Sequence, residues 1–193
     1  MYSKLPNVVF GFHGCHKDVF EAVLSGKEDL KESKNAYDWL GPGIYFWESN
    51  LERAKQWAES HFQEDGRVLG AALDLGYCLN LTDQFATPIL KQGYEYLEQA
   101  CSEQQIPLPK NQLGHDLLLR NLDCAIISGV HEIQNLNGQP PFDSARGLFF
   151  EGESIAEGSL LMERTHTQIA VRNPNCIKGY FIPRELNEDY ERP

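Results

Sequence analysis

The pattern of apolar and polar positions predicts strands near both ends of the chain and helices between them. An apolar run over residues 7–13 predicts a short buried strand that ends at a His-Gly pair. Over residues 17–25 the apolar side chains recur at helical spacing, and Gly26 is a natural helix stop. Strand patterns return at the C-terminal end, over residues 147–150, 165–171 and 176–182.

A glycine-rich turn predicts the start of a second strand. Residues 40–43 are Leu-Gly-Pro-Gly, and a β-branched and aromatic run over residues 44–47 follows them directly. Ser49 or Asn50 can then cap a helix whose apolar face continues to about residue 61. This part of the chain is therefore predicted to be a strand followed closely by a helix.

The middle of the chain is predicted to be mainly helical. Residues 68–81 form a longer strand-like apolar stretch, and residues 86–121 carry two apolar stripes at helical spacing. The stripes consist of Tyr94, Leu97, Ala100 and Cys101, and of Leu113, Leu117 and Leu118. The apolar run over residues 122–128 fits a strand or a buried helix. Because strands at both ends enclose helices without a regular β-α-β alternation, we predict an α+β fold.

Chain length and the absence of repeats predict a single domain. The 193 residues fit one domain of ordinary size, and the helical part around residues 82–121 is predicted to be an insertion packed on the strands. With 41% hydrophobic and 23% charged residues, the composition excludes wholesale disorder. No apolar stretch reaches the roughly 18 residues of a membrane helix, and the start of the chain lacks a signal-peptide core. We therefore expect a soluble, cytoplasmic protein with no membrane partner.

The charge balance bears on the class of partner. A formal net charge of -11 works against non-specific binding to nucleic acid or to anionic membranes. It leaves room for a local basic groove, for which Arg164, Arg172 and Lys178 are the candidates. The alternative is that these basic side chains are scattered over a solvated surface.

The cysteines and histidines do not predict a disulfide framework or a metal centre. Five cysteines are an odd number, and none forms a C-x-x-C pair, which is typical of free cytosolic thiols. The segment His13-Gly14-Cys15-His16 contains metal-ligand residue types. No second ligand pair follows it at zinc-like spacing, so we expect no metal.

Three segments carry residue types that could form a ligand site. His13 and Gly14 end the first strand, where a histidine can hold a sugar hydroxyl and a glycine lets a ligand approach the main chain. Tyr45 follows the glycine turn, so a planar ligand could stack on its ring. His166 and Gln168 point to the same face of a strand, and two inward polar groups are costly unless a partner satisfies them.

Each segment also has a purely structural interpretation. His13 could be a core or edge histidine followed by a turn glycine, and Tyr45 could belong to a hairpin with an aromatic core strand. His166 and Gln168 could form the polar face of a half-exposed strand. The residues alone leave these alternatives open.

Taken together, the segments resemble the ADP-ribosyltransferase superfamily, in its diphtheria-toxin and poly(ADP-ribose) polymerase branch, of bacterial toxin or effector type. The resemblance lies in His13-Gly14-Cys15, in Gly41-Pro42-Gly43-Ile44-Tyr45-Phe46, and in Ser49 with Ala54 on the following helix. The last strands also resemble those of the family. The resemblance covers both ends of the chain in the family's order but not residues 82–145. It implies a split antiparallel β-core with flanking helices.

The resemblance also implies that the core binds NAD as a substrate. His13 would hydrogen-bond a ribose hydroxyl, and the backbone of Gly14 would hold the carboxamide. Tyr45 would stack on the nicotinamide ring, and Trp57 or Gln56, from the helix after the turn, would close the opposite side. Nicotinamide would then leave the anomeric carbon through an oxocarbenium-like transition state.

The implied catalytic set is His13, Tyr45 and Gln168, with Ala54 and His166 as further NAD-binding positions. Gln168 departs from the family, which carries a glutamate there. An amide can hold the ribose 2-hydroxyl, but it brings no negative charge and cannot act as a base. Loss of the glutamate goes, in the family, with loss of polymer elongation.

The predicted function is therefore NAD-dependent mono-ADP-ribosylation of a macromolecular acceptor, with protein favoured over RNA or DNA. Glu151 and Glu163 are nearby carboxylates that could supply the missing charge. One alternative is an NAD glycohydrolase, and another is a non-catalytic module that binds NAD or ADP-ribose. An antitoxin or immunity protein is a candidate partner.

Overall fold

The computed structural model describes residues 8–112, 117–185 and 187–190, so the predicted first residue of the opening strand, Asn7, lies outside it. Within these ranges the chain forms a seven-stranded sheet and four α-helices, the mixed α+β architecture that the sequence predicts. The strands are β1 (Val9–His16), β2 (Ile44–Glu48), β3 (Gly66–Leu73), β4 (Cys78–Asn80), β5 (Ser144–Phe149), β6 (His166–Val171) and β7 (Ile177–Phe181). The helices are α1 (Lys17–Leu24), α2 (Leu51–Phe62), α3 (Ala86–Glu103) and α4 (Asn121–Leu136).

The sheet is partly divided near its centre. The strand order is β4-β5-β6-β2-β1-β3-β7, and neighbours run antiparallel except for the parallel pair β4 and β5. β1 pairs with β3 over eight residues, but with β2 only at Gly11–Glu48 and Phe12–Trp47. Because this second pairing stops at Phe12, the two strands separate beyond it.

The elements predicted at both ends of the chain are confirmed, with shifts at their boundaries. β1 continues through His16 instead of ending at the His-Gly pair. Gly26 follows α1 with a φ of 69°, a left-handed conformation suited to glycine. Asn50, not Ser49, caps α2, because its side chain accepts a hydrogen bond from the N–H of Arg53. The three C-terminal strand patterns correspond to β5, β6 and β7.

The prediction of one long strand over residues 68–81 is wrong. β3 ends at Leu73, and β4 is a separate strand at the opposite edge of the sheet. Between them Gly76 has a φ of 58°, and the N–H of Tyr77 donates to the Asp143 carboxylate at 2.8 Å. The turn and this contact with a distant segment carry the chain across to β5.

The helical middle has different bounds from those predicted. α3 contains the first predicted stripe, but Leu117 and Leu118 precede α4, and Leu113 lies outside the described residues. The apolar run over residues 122–128, whose sequence fits either a strand or a buried helix, belongs to α4. The segment over residues 82–121 thus contains α3 and ends where α4 begins. That it is an insertion rather than a domain of its own stays a prediction.

Two apolar cores lie on the two faces of the sheet. Ile169 belongs to the first core, whereas its neighbour Ala170 and the adjacent Tyr45 pack in the second. α3 and α4 cover the second core and cross closely, since a Cβ on Gly93 would lie 2.6 Å from the Ile126 carbonyl oxygen. The helical layer therefore covers the face of the sheet on which Tyr45 lies.

Candidate functional site

A cavity of about 650 Å³ opens where β1 and β2 separate. Residues from β1, β2, β6 and α2, and from the loop before β2, line it. Its size lies within the roughly 300–1,000 Å³ of small-molecule sites. The candidate residues from the sequence that line the cavity are His13, Gly14, Tyr45, Trp57, Glu151 and Gln168.

His13 contributes a neutral imidazole to the cavity. Its Nδ1 lies 2.7 Å from the Tyr45 carbonyl oxygen, so Nδ1 carries the proton and donates it. Burial lowers the pKa of His13, which keeps the ring neutral at physiological pH. Nε2 is therefore left as a hydrogen-bond acceptor, and a ligand hydroxyl is the kind of donor that it can bind.

The turn before β2 occupies the Tyr45 hydroxyl. The hydroxyl donates to the Gly41 carbonyl at 2.6 Å and accepts from the Leu40 N–H at 2.8 Å. Gly41 has a φ of 74°, which a side chain would strain, so the backbone itself requires this glycine. Burial raises the pKa of Tyr45, and the phenol stays protonated. Tyr45 therefore offers a ligand its ring face rather than its hydroxyl.

Gly14 allows α2 to approach β1. A Cβ at this position would lie 2.9 Å from both the Ala54 carbonyl oxygen and Cε3 of Trp57. Ala54 is fully buried behind this contact and does not line the cavity, so it supports the wall instead of touching a ligand. Trp57 lines the cavity and stacks on His61 with ring centroids 4.1 Å apart. Gln56, the alternative to Trp57, is exposed and lies outside the lining.

A chain of hydrogen bonds orients Gln168. Nδ1 of His166 lies 2.9 Å from the Arg164 carbonyl oxygen and donates to it, so Nε2 of His166 accepts from Nε2 of Gln168 at 3.0 Å. Burial lowers the pKa of His166, which lies beneath the cavity wall and stacks on Trp39. Because the amide nitrogen is used, the amide oxygen of Gln168 is left to accept from a ligand. His166 thus positions Gln168 and is not itself part of the lining.

An ion pair that the sequence did not predict lies in the cavity wall. Both oxygens of Glu151 accept from Nη2 of Arg53, at 2.7 and 2.8 Å, and Nη1 of Arg164 lies 3.1 Å from the same carboxylate. Arg53 and Glu151 both line the cavity, whereas Glu163 does not. Glu151 was a candidate source of charge, but Arg53 was missed. The two residues are 98 positions apart, and no local pattern connects them.

The three basic candidates for a nucleic-acid groove lie apart from one another. Arg164 pairs with Glu151, which lines the large cavity. Nη1 of Arg172 lies 3.0 Å from Nδ1 of His131, and both line a separate cavity of about 380 Å³. Lys178 lies on the edge strand β7. These three side chains therefore do not form one groove.

The side chains of the His-Gly-Cys-His segment reach different surroundings. His13 lines the cavity, burial raises the pKa of the Cys15 thiol to about 11, and His16 lies 3.7 Å from Asp65. Among residues 8–112, 117–185 and 187–190, no group of three or more His, Cys, Asp or Glu side chains is arranged to hold a metal ion. The five cysteines are free thiols.

Comparison with family models, with curated proteins and with solved structures finds no match for this chain. Function is therefore inferred from the residues and the geometry of the cavity. Of the helices in the described residues, none has both the length and the apolar character needed to cross a bilayer.

Three histidines with lowered pKa values predict a loss of stability as the pH falls. Burial lowers the pKa of His13 and His166, and burial together with the charge of Arg172 lowers the pKa of His131 to about 4. Below about pH 6.5 the unfolded chain takes up protons at these positions while the folded chain does not, so the free energy of unfolding decreases. We expect the urea midpoint to fall between about pH 6.5 and pH 4.

The His131→Asn variant provides the control for this prediction. Asparagine keeps an acceptor for Arg172 but cannot titrate, so the midpoint should fall less steeply with pH than in the wild type. The lowered pKa of Asp65 acts below that carboxyl's ordinary value of 3.8, outside this range. An identical slope for wild type and variant would contradict the neutral state of His131 in the folded protein.

Proposed function

We propose that the protein is an NAD-dependent mono-ADP-ribosyltransferase with an ADP-ribosyltransferase-like fold. The observation that carries the proposal is that His13, Tyr45 and Gln168, which the sequence pattern links to this family, line one cavity. The separation of β1 from β2 beyond Phe12 supports the split β-core that the family implies. The cavity volume is adequate for the nicotinamide and ribose half of NAD.

Each of these three side chains offers NAD a specific contact. Nε2 of His13 accepts a hydrogen bond from a ribose hydroxyl, because Nδ1 is already committed to Tyr45. The ring of Tyr45 stacks on nicotinamide, and Trp57 closes the opposite side from α2. The amide oxygen of Gln168 accepts from the ribose 2-hydroxyl.

In the proposed reaction, the bond between the anomeric carbon of ribose and the nicotinamide nitrogen breaks, and nicotinamide leaves with the electron pair. A nucleophile of the acceptor bonds to the anomeric carbon and releases its proton to solvent. Positive charge builds on the ribose in the transition state, so a hydrogen bond to its 2-hydroxyl becomes stronger there.

The charges in the cavity wall favour transfer of a single unit over polymer elongation. Gln168 has no charge, and Arg53 and Arg164 already neutralise Glu151. A base that activates a hydroxyl of a growing chain is therefore missing from these side chains. The net charge of -11 favours a protein acceptor over nucleic acid. In this proposal the protein acts as a toxin or effector in the cytoplasm, and an antitoxin or immunity protein is its partner.

Nicotinamide release tests the proposed function. Purified protein is incubated with NAD, with and without a cell extract, and free nicotinamide is measured. Release that depends on the extract, with ADP-ribose recovered on an extract macromolecule, is the expected result. Protease or nuclease treatment of the labelled product then identifies the acceptor class. Equal release without extract would indicate NAD hydrolysis instead.

A second candidate function is a non-catalytic module that binds NAD or ADP-ribose. The observation that favours it is that Glu151, the candidate source of the missing charge, is held by two arginines. Saturable binding of ADP-ribose with no nicotinamide release under any condition would support the module. Absence of both binding and release would overturn both candidates.

A further inference from the structure

Arg53 is held in one orientation at the wall of the large cavity. It lies in the first turn of α2, its side chain is 12% exposed, and its guanidinium sits 5.5 Å from the centre of the Trp47 ring. One nitrogen, Nη2, makes both bonds to Glu151, whose side chain is 8% exposed. These contacts hold the Arg53 side chain between Glu151 and Trp47 at the cavity wall.

One hydrogen-bond donor of the same guanidinium lacks an acceptor. Nε of Arg53 is buried and has no hydrogen-bond partner among the described residues. A buried donor without an acceptor costs free energy, so a ligand oxygen that reaches this nitrogen from the cavity would stabilise the arrangement.

The charges of the cluster formed by Arg53, Glu151 and Arg164 also bear on the kind of ligand that binds there. Glu151 carries one negative charge and contacts two guanidinium groups, those of Arg53 and Arg164. The neighbouring His166 is kept neutral by burial and does not change this sum. Of the other charged groups that line the cavity, Lys31 and Asp38 have opposite signs. The cluster therefore has one positive charge in excess, which favours an electron-rich group on the ligand.

We propose that Arg53, oriented by Glu151, is a ligand-binding residue that donates to an oxygen of NAD. The inference rests on the proposed function and adds to it a contact outside the sequence motif. Two groups of NAD supply such an oxygen, the nicotinamide carboxamide and the diphosphate. Both accept hydrogen bonds from a guanidinium, and they separate into the two products of the reaction.

The test compares binding of the two products, nicotinamide and ADP-ribose, to the wild type and to Arg53→Lys. Lysine keeps the positive charge but loses the planar fork and the Nε donor. We expect about tenfold weaker binding of one product and unchanged binding of the other. Weaker nicotinamide binding identifies the carboxamide as the partner, and weaker ADP-ribose binding identifies the diphosphate.

The chain offers a matched control in Arg146→Lys. Arg146 forms a comparable pair with Glu48, with Nη2 to Oε1 at 3.1 Å and both side chains 17% exposed, but neither residue lines the cavity. The control should lose stability and keep both affinities. Glu151→Gln keeps the size of the side chain and removes its charge, so it should weaken the same product as Arg53→Lys.

The outcomes separate this inference from the proposed function. If the wild type binds neither product, the proposed function fails. If the wild type binds both and Arg53→Lys binds them equally well, with a lowered melting temperature, Arg53 has only a structural role and the inference is overturned. A loss of both affinities in a variant that melts like the wild type would also overturn it, since one contact cannot serve two separate molecules.

Discussion

Alanine in place of Gln168 is expected to slow nicotinamide release by about a hundredfold or more. The amide oxygen is proposed to accept from the ribose 2-hydroxyl, a contact that strengthens as charge develops, and removing one such transition-state contact costs about 10²–10³ in rate. The fold should survive, because the side chain makes one hydrogen bond within the described part of the chain, to His166, and the loss of that bond costs about 1 kcal/mol in stability. The measurement is nicotinamide release at saturating NAD, with thermal melting alongside.

Thr167→Ala is the control for this effect. Thr167 is the neighbouring residue on β6 and does not line the cavity. Its side chain points to the opposite face of the sheet, so its rate should stay within about twofold of the wild type. Equal rates for wild type, Thr167→Ala and Gln168→Ala would show that Gln168 is a bystander.

Gln168→Glu tests whether negative charge is what the site lacks. In the wild type Nε2 of His166 accepts from the amide nitrogen, so a carboxylate at position 168 would face a lone pair. Two acceptors repel each other, and His166 relieves the repulsion by taking up a proton, which raises its pKa. The added charge is therefore compensated below that new pKa and uncompensated above it.

The rate of Gln168→Glu should for this reason depend on pH in a way that the wild-type rate does not. As the pH rises through the new pKa of His166, nicotinamide release should increase, up to about a hundredfold if electrostatic stabilisation is worth roughly 3 kcal/mol. A rate that stays at or below the wild-type rate at every pH would show that the site is built around a neutral amide.

Turn and helix-cap residues predicted the parts of the fold whose conformation is set by residues close together in the sequence. The turn before β2 could be predicted because Gly41 must adopt a positive φ there, and α2 because Asn50 caps it. The break between β3 and β4 could not, since residues 68–81 are apolar almost throughout. What separates the two strands is the contact of Tyr77 with Asp143, from a segment far along the chain.

The same distinction applies to the candidate site. His13, Tyr45 and Gln168 could be proposed together because they stand in short motifs at strand ends. The pairing of Arg53 with Glu151 depends on the fold alone, which brings the first turn of α2 next to the end of β5. The use of the Tyr45 hydroxyl within the protein is local, since its partners are Leu40 and Gly41 in the preceding turn, but the strand pattern did not predict it.

That use of the hydroxyl leads to a prediction that separates stability from ligand binding. Tyr45→Phe removes the oxygen and leaves the buried Leu40 N–H without its acceptor, which should cost about 1–3 kcal/mol in unfolding free energy. The ring remains, so NAD and nicotinamide should bind within about twofold of the wild-type affinity. Urea unfolding and equilibrium binding of nicotinamide measure the two effects.

Tyr45→Leu is the matched variant, because it loses the same hydroxyl and also the aromatic ring while keeping apolar bulk in the core. Since the hydroxyl is absent from both variants, a comparison of leucine with phenylalanine isolates the ring. Loss of the stacking surface should weaken nicotinamide binding at least about fivefold, equivalent to about 1 kcal/mol. Equal nicotinamide affinities for the two variants would mean that the ring does not touch the ligand. A large loss of affinity in Tyr45→Phe would instead mean that the hydroxyl leaves Gly41 and Leu40 to bind it.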